Sequence, residues 1–307
     1  KWKEEYEEIQ KNKKGRKKKE ENSAVVVEDE EATKRQEKNI INRRAHLVLL
    51  AQNQTGLNNL FQLISKSFNG DSFYRYPRID YKMLAEHHEG IIVSSACMGG
   101  PLSKDYWNNR EEGHDAVQAA MTNTISNFVE IFGDRFYGEL QWNAIPEQHE
   151  INKHIIEAAK KLDVKLISTA DSHYPRPDLF KDRSLYKQLG WLGKSKPDYA
   201  ENTLPQSREE LKYELYPKNG DEMWESYKNY SKQCEVNYDD KLVRESIEET
   251  YRIAHERIDS YYPDATVRLP DFVVPDGSTA DQELDRLCAR GLKEYGFGSK
   301  PEYTERV

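Results

Sequence analysis

The sequence predicts an α/β fold in which a parallel sheet or barrel is covered by helices and is followed by a mostly helical region. Two observations support this prediction. Short apolar runs alternate along the chain with longer segments of helical periodicity, an order typical of parallel sheets. The apolar runs also lack regular polar alternation, which is expected of strands that are covered on both faces.

The predicted elements begin near residue 46. Three apolar runs are predicted as strands, at 91–95, 136–141 and 164–169, and the ordered part of the chain is predicted to begin at the apolar run 46–51. Apolar residues spaced three and four apart predict helices over 57–68, 114–131 and 146–162. Beyond residue 185, charged segments predict helices near 207–214, 221–233, 241–258 and 279–295, with an extended, proline-bounded stretch over 269–275. The change of character near residue 185 indicates a second region.

The composition divides the chain further. Hydrophobic residues make up 36% and charged residues 33% of the 307 residues, so we expect a highly charged segment to dilute the average. Residues 1–38 fit this description, with a basic run at Lys11–Lys19 and an acidic run at Glu28–Glu31. The basic run is either a solvated segment or a contact for nucleic-acid phosphate. We predict a charged insertion over 1–38, a main domain over 39–185, a helical connector over 186–267 and a further domain beginning at 268.

The charge, the cysteines and the hydrophobicity of the sequence argue against several classes of protein. The net charge of −8 means that nucleic acid would have to be bound through local basic patches. The three cysteines, Cys97, Cys234 and Cys288, are far apart, which argues against a disulfide framework. No apolar run approaches the ~20 residues of a membrane-spanning helix, and no signal peptide opens the chain. We therefore predict a cytoplasmic protein without a membrane partner.

Four residues are candidates for metal chemistry. Asp171 and His173 follow a predicted buried strand, and side chains two apart on an extended segment point the same way, which suits a divalent metal. The alternative is a capping aspartate beside a surface histidine. Cys97 lies in a glycine-rich loop after another strand, or it is a small buried residue. His46 is a further candidate or a core histidine, and it stands at the start of an apolar run, whereas the other candidates follow theirs.

The sequence also resembles a known family. Five blocks occur in the order and spacing of the PHP domain of bacterial (C-family) DNA polymerase III alpha subunits, over about residues 40–185. A weaker resemblance continues towards the family's polymerase palm. The five blocks are His46–Asn53, Tyr76–Asp80, Ser94–Gly100, Phe136–Gln141 with Ile145–Gln148, and Thr169–Tyr174; the weaker ones are Ile247–Thr250, Leu269–Phe272, Gly291–Lys293 and Pro301–Arg306.

The resemblance implies an incomplete PHP-type (β/α) distorted barrel over 39–185, a helical connector and the start of the palm over 268–307. It implies that His46, Cys97, Asp171 and His173 are metal ligands, for zinc, manganese or magnesium, with Asp171 as the best catalytic candidate. The family's opening HxH motif is absent, and Pro101 stands where the family often has glutamate. The metal site is therefore expected to be incomplete, and this chain is not expected to polymerise DNA alone.

Three functions remain open. The leading one is a fragment of a replicative DNA polymerase, whose PHP site is a 3′–5′ exonuclease or a structural support. Its implied partners are a missing N-terminal PHP segment, a C-terminal polymerase segment, DNA and replisome subunits such as a sliding clamp. The alternatives are a free-standing PHP phosphoesterase, which would not need residues 186–307, and a non-catalytic replisome interaction module.

Overall fold

The computed structural model of the chain describes residues 44–73, 76–190, 207–267, 273–274 and 276–306. The predicted charged segment 1–38 and most of the proline-bounded stretch 269–275 lie outside the described residues. The chain divides into two compact units, Lys1–Tyr262 and Pro263–Val307. The domain boundaries predicted from the sequence stay predictions.

The first unit is built on a mixed four-stranded sheet of order β1-β2-β3-β4. Strands β2, β3 and β4 run parallel to one another, and β1 runs antiparallel to β2 with Val48 paired to Ser94. All residues of β2 and β3 are buried, which confirms that strands without polar alternation are covered on both faces. The strands are β1 Val48–Ala51, β2 Ile91–Ser94, β3 Phe136–Gln141 and β4 Lys165–Thr169.

Helices pack around this sheet. The helix predicted over 114–131 is confirmed as His114–Phe132, whose buried face includes Val117, Met121 and Ile125. The helix predicted from Pro146 is also confirmed, with proline in its first turn and a left-handed Asp163 at its end. The helices of this unit are α1 Gln54–Ser67, α2 Tyr81–Glu86, α3 Pro101–Asn109, α4 His114–Phe132, α5 Pro146–Leu162, α6 Phe180–Gly190, α7 Gly220–Gln233 and α8 Asp240–Arg252.

The connector helices α7 and α8 share the core of the sheet. Met223, Tyr227 and Tyr230 of α7 and Val243 of α8 are buried in the same apolar cluster as the residues of β2, β3, α4 and α5. On the opposite side of β4, the buried carboxylate of Glu249 accepts a hydrogen bond from Lys165 Nζ at 3.0 Å. The connector is therefore folded onto the sheet.

The prediction of a helix over 207–214 is wrong. Only a single 3₁₀ turn forms there, at Arg208–Glu210. The main chain that follows forms no helix, because its carbonyl groups bond to other parts of the fold: Lys212 O accepts from Ala144 N at 2.6 Å, and Leu215 O accepts from His173 N at 2.7 Å. A helix would withdraw these carbonyls into its own ladder.

The second unit contains helix α9, Ala280–Glu294, and the short helix α10, Pro301–Thr304. Thr279 and Gln282 form a reciprocal capping box that starts α9. None of the described residues of α9 is buried. The aromatic rings of Phe297 and Tyr303 stack with their centroids 4.5 Å apart.

A buried histidine makes the first unit sensitive to acid. His149 is fully buried, its Nε2–H donates to Asn143 O at 2.9 Å, and its Nδ1 lies 2.8 Å from the Tyr238 hydroxyl. Burial is the main cause that lowers the pKa of His149, so the unfolded chain binds this proton more readily than the folded chain. Stability is expected to fall as the pH drops below about 6.5.

We expect His149→Gln, whose amide can still donate to Asn143 O, to remove part of this pH dependence. Urea unfolding of both proteins at pH 7.5 and 5.5 measures it. The wild type should lose more stability between these two values than the variant does. An identical loss in both proteins would assign the acid sensitivity to other groups, such as His154, whose pKa burial also lowers.

Candidate metal centre

The antiparallel direction of β1 brings His46 to Cys97. Because Val48 pairs with Ser94, the beginning of β1 lies beside the end of β2. His46 N donates to Gly99 O at 2.8 Å, and His46 Nδ1 lies 3.6 Å from Cys97 Sγ. The residue that precedes its strand thus reaches the same edge of the sheet as residues that follow the parallel strands.

Two glycines allow this close approach. A Cβ atom at Gly99 would lie 2.9 Å from His46 Nδ1, and one at Gly100 would lie 2.1 Å from Ser95 O. The loop turns sharply at Ala96, whose φ of 59° is in the left-handed region. The main chain of this loop forms hydrogen bonds within the loop: Gly99 N donates to Cys97 Sγ at 3.5 Å, and Gly100 N donates to Cys97 O at 2.7 Å. The glycine-rich loop predicted to bring backbone close to a ligand here brings it close to a histidine ring.

Asp171 and His173 follow β4 at the same edge. Asp171 has a φ of 47°, so the segment is not extended, and the predicted reason for the two side chains pointing together does not hold. The side chains are nevertheless close, with Asp171 Oδ1 4.0 Å from His173 Nδ1. His173 Nδ1–H donates to Asp171 O at 2.6 Å, which leaves Nε2 of the ring available as a ligand atom.

The thiol of Cys97 connects the two pairs electrostatically. Burial is the largest cause that raises its pKa, the Gly99 hydrogen bond lowers it, and the charges of Asp171 and Glu139 raise it. Both carboxylates thus oppose ionisation of the thiol. A cation at this edge would act in the opposite sense and favour the thiolate form, which is the form that binds metals.

Glu139 is a further residue of this edge that was not predicted from the sequence. It is 5% exposed in the middle of β3, and its carboxylate accepts hydrogen bonds from Ser94 Oγ at 2.5 Å, Gln141 Nε2 at 3.0 Å and Thr169 Oγ1. Its partners come from β2, β3 and β4. A glutamate inside a fully buried strand is the signal that could have identified it, because such a carboxylate requires several donors.

The four predicted residues thus form two pairs at one edge of the sheet. His46 contacts Cys97, and Asp171 lies beside His173. Across the residues that the structure describes, no group of three histidine, cysteine, aspartate or glutamate side chains is arranged to hold a metal ion. The assignment of these residues as ligands stays a prediction.

Comparison with known proteins identifies the class. Residues 6–143 match the PHP domain family, a region that contains β1, β2, β3 and the glycine-rich loop. The matched region includes His46 and Cys97 and ends before Asp171. Within the described ranges, no helix combines the length and the apolar character needed to cross a membrane.

The particular protein follows from its relatives. The chain is 32% identical over 280 residues to the DNA polymerase III subunit alpha of Aquifex aeolicus, an alignment that covers 88% of this chain and 22% of the relative. It is 34% identical over 249 residues to that of Borreliella burgdorferi (81% and 19%) and 30% identical over 257 residues to that of Thermus aquaticus (80% and 18%). The chain belongs to the DNA polymerase III alpha subunits and spans about a fifth of the length of these relatives.

Proposed function

We propose that this chain supplies part of a PHP metal site within a replicative DNA polymerase that acts in the cytoplasm. The observation that supports this proposal most directly is the contact of His46 with Cys97 at the edge of the sheet where β4 also ends, shortly before Asp171. Imidazole and thiolate are ligands that zinc prefers, and carboxylate also suits manganese and magnesium. We infer that Asp171, His173, His46 and Cys97 hold such a divalent ion.

The remaining ligands are proposed to come from polypeptide outside the described residues. The outer edge of β1 has no neighbouring strand in the described part of the chain, and Val48 and Leu50 on this strand are about 40% exposed. Apolar residues on an edge strand favour pairing with a further strand. A strand added there would lie next to the beginning of β1 and could carry ligands to His46.

The proposed chemistry is hydrolysis of a phosphodiester bond in DNA by a 3′–5′ exonuclease. A bound divalent ion would supply an activated water and polarise the phosphate. In this proposal Asp171 and His173 present their side chains after β4, and Glu139 accepts hydrogen bonds from the hydroxyls of Ser94 and Thr169, the last residues of β2 and β4. A structural metal that supports the polymerase is the other role of the same site. We propose DNA and a sliding clamp as partners of the polymerase to which this chain contributes.

Replacing Asp171 by asparagine tests the site. Asparagine tolerates the left-handed backbone of this position, so we expect the fold to be kept while a charged ligand is lost. We expect Zn²⁺ affinity, measured by competition with a chromophoric chelator, to fall by at least about tenfold. Any nuclease activity of the chain reconstituted with the rest of the polymerase should fall with it.

Asp163→Asn is the matched control. Asp163 also has a positive φ, 53°, but it ends helix α5 away from the carboxyl edge of the sheet. This variant should bind Zn²⁺ like the wild type. The site assignment is wrong if Asp171→Asn keeps full Zn²⁺ affinity, or if Asp163→Asn weakens binding to the same extent.

A further inference from the structure

A segment of the connector that forms neither helix nor strand, residues 211–216, contacts the main chain that follows two parallel strands. After β3, Ala144 N donates to Lys212 O at 2.6 Å. After β4, His173 N and Tyr174 N both donate to Leu215 O, at 2.7 and 3.1 Å, and Leu215 N donates in return to the Tyr174 hydroxyl at 3.1 Å. The segment is therefore bonded to the loop that carries Asp171 and His173.

The segment is itself anchored. The carboxylate of Glu214, 13% exposed, forms an ion pair with Arg208 at 2.5 Å, and Lys218 Nζ donates to Glu214 O at 2.6 Å. Tyr216 is 5% exposed, and its ring lies 6.4 Å from that of Tyr174. Helix α7 begins at Gly220 and packs into the main core. The bonds to the loop thus tie it to a fixed element.

The loop after β4 needs such support. It forms no regular structure before Pro177, and Asp171 has a positive φ that an aspartate adopts only at a cost. The side chains of Asp171 and His173 are about a third and a half exposed, so packing alone does not fix them. The amides of His173 and Tyr174 are fixed by Leu215 O instead.

We infer that residues 211–216 are a positioning element for the Asp171–His173 loop, and that the Tyr174 hydroxyl is its key side-chain contact. The connector thereby sets the geometry of one half of the candidate metal site. A displacement of the connector helices would be transmitted to Asp171 and His173 through Leu215. The consequence for metal binding rests on the proposed function, whereas the bond between connector and loop does not.

Tyr174→Phe in the full chain tests the positioning role. The variant keeps the ring and loses the acceptor for Leu215 N. We expect the amides of His173 and Tyr174 to exchange with solvent about five times faster, as the loss of one hydrogen bond of typical strength predicts, with no change in the helices. Tyr213→Phe is the control, since within the described ranges no hydrogen bond of the Tyr213 hydroxyl is seen. The hydrogen exchange of the Tyr213→Phe protein should match that of the wild type.

Zn²⁺ binding gives a second readout. Tyr174→Phe should weaken Zn²⁺ binding by about tenfold, as the loss of an outer contact to a ligand typically does, and leave thermal unfolding almost unchanged. If the wild type binds no Zn²⁺ but its loop amides respond to Tyr174→Phe, the proposed metal site fails and the positioning element stands. Unchanged exchange in Tyr174→Phe, or equal acceleration in Tyr213→Phe, overturns the inference.

Discussion

Replacing Gly56 by alanine is expected to destabilise the first unit by at least about 3 kcal/mol. A Cβ at this position would lie 1.8 Å from Gly90 O and 2.6 Å from Gly90 C. Both atoms belong to the main chain, so no side-chain rotation relieves the clash. The first turn of α1 would have to move away from the turn that begins β2, where Gln52 N also donates to Gly90 O at 2.7 Å.

Gly220→Ala is the control for this substitution. Gly220 also lies in the first turn of a helix, α7, but a Cβ there would meet only Ile247 Cγ2 at 3.7 Å, an ordinary contact. It should be neutral or stabilise by up to about 1 kcal/mol, because alanine restricts the unfolded chain. Chemical unfolding of both variants measures the difference. A Gly56→Ala protein as stable as wild type would show that α1 does not approach Gly90 this closely.

Trp142→Ala is expected to cost about 4 kcal/mol, since large aromatic side chains in a core cost 3–5 kcal/mol when truncated. Trp142 is 5% exposed directly after β3, and its indole N–H donates to Ser168 Oγ at 3.0 Å. Its ring lies 4.9 Å from that of Tyr227 in α7 and 5.1 Å from that of Tyr238. The side chain therefore joins the sheet to the connector, and its loss should loosen both.

Trp107→Ala provides the comparison. Trp107 is 37% exposed on α3, where Arg110 covers its ring, so its truncation should cost about 1 kcal/mol. The loss of stability in Trp142→Phe should lie between those of the two alanine variants, because phenylalanine keeps an aromatic ring but leaves Ser168 without the indole donor. Equal midpoints for the two alanine variants in urea would mean that the connector does not pack on Trp142.

Much of the fold could be predicted from local pattern. The spacing of Val117, Met121 and Ile125 determined the helix that contains them, and the all-apolar run Ile91–Val93 determined a buried strand. These elements can be predicted because the residues on the buried face of a helix or strand recur at a regular spacing within that element. The helix predicted over 207–214 is absent for the converse reason: the hydrogen bonds to Leu215 O come from His173 and Tyr174, far away in the sequence.

The sequence by itself determined the candidate metal ligands, the three parallel strands and the family to which the chain belongs. Only the tertiary structure decided how His46 reaches Cys97, because strand direction depends on pairing between segments more than forty residues apart and not on local periodicity. The structure alone also revealed Glu139 with its three donors and the connector segment bonded to the Asp171–His173 loop. These contacts depend on which main-chain and side-chain donors the fold brings together, and no run of neighbouring residues encodes them.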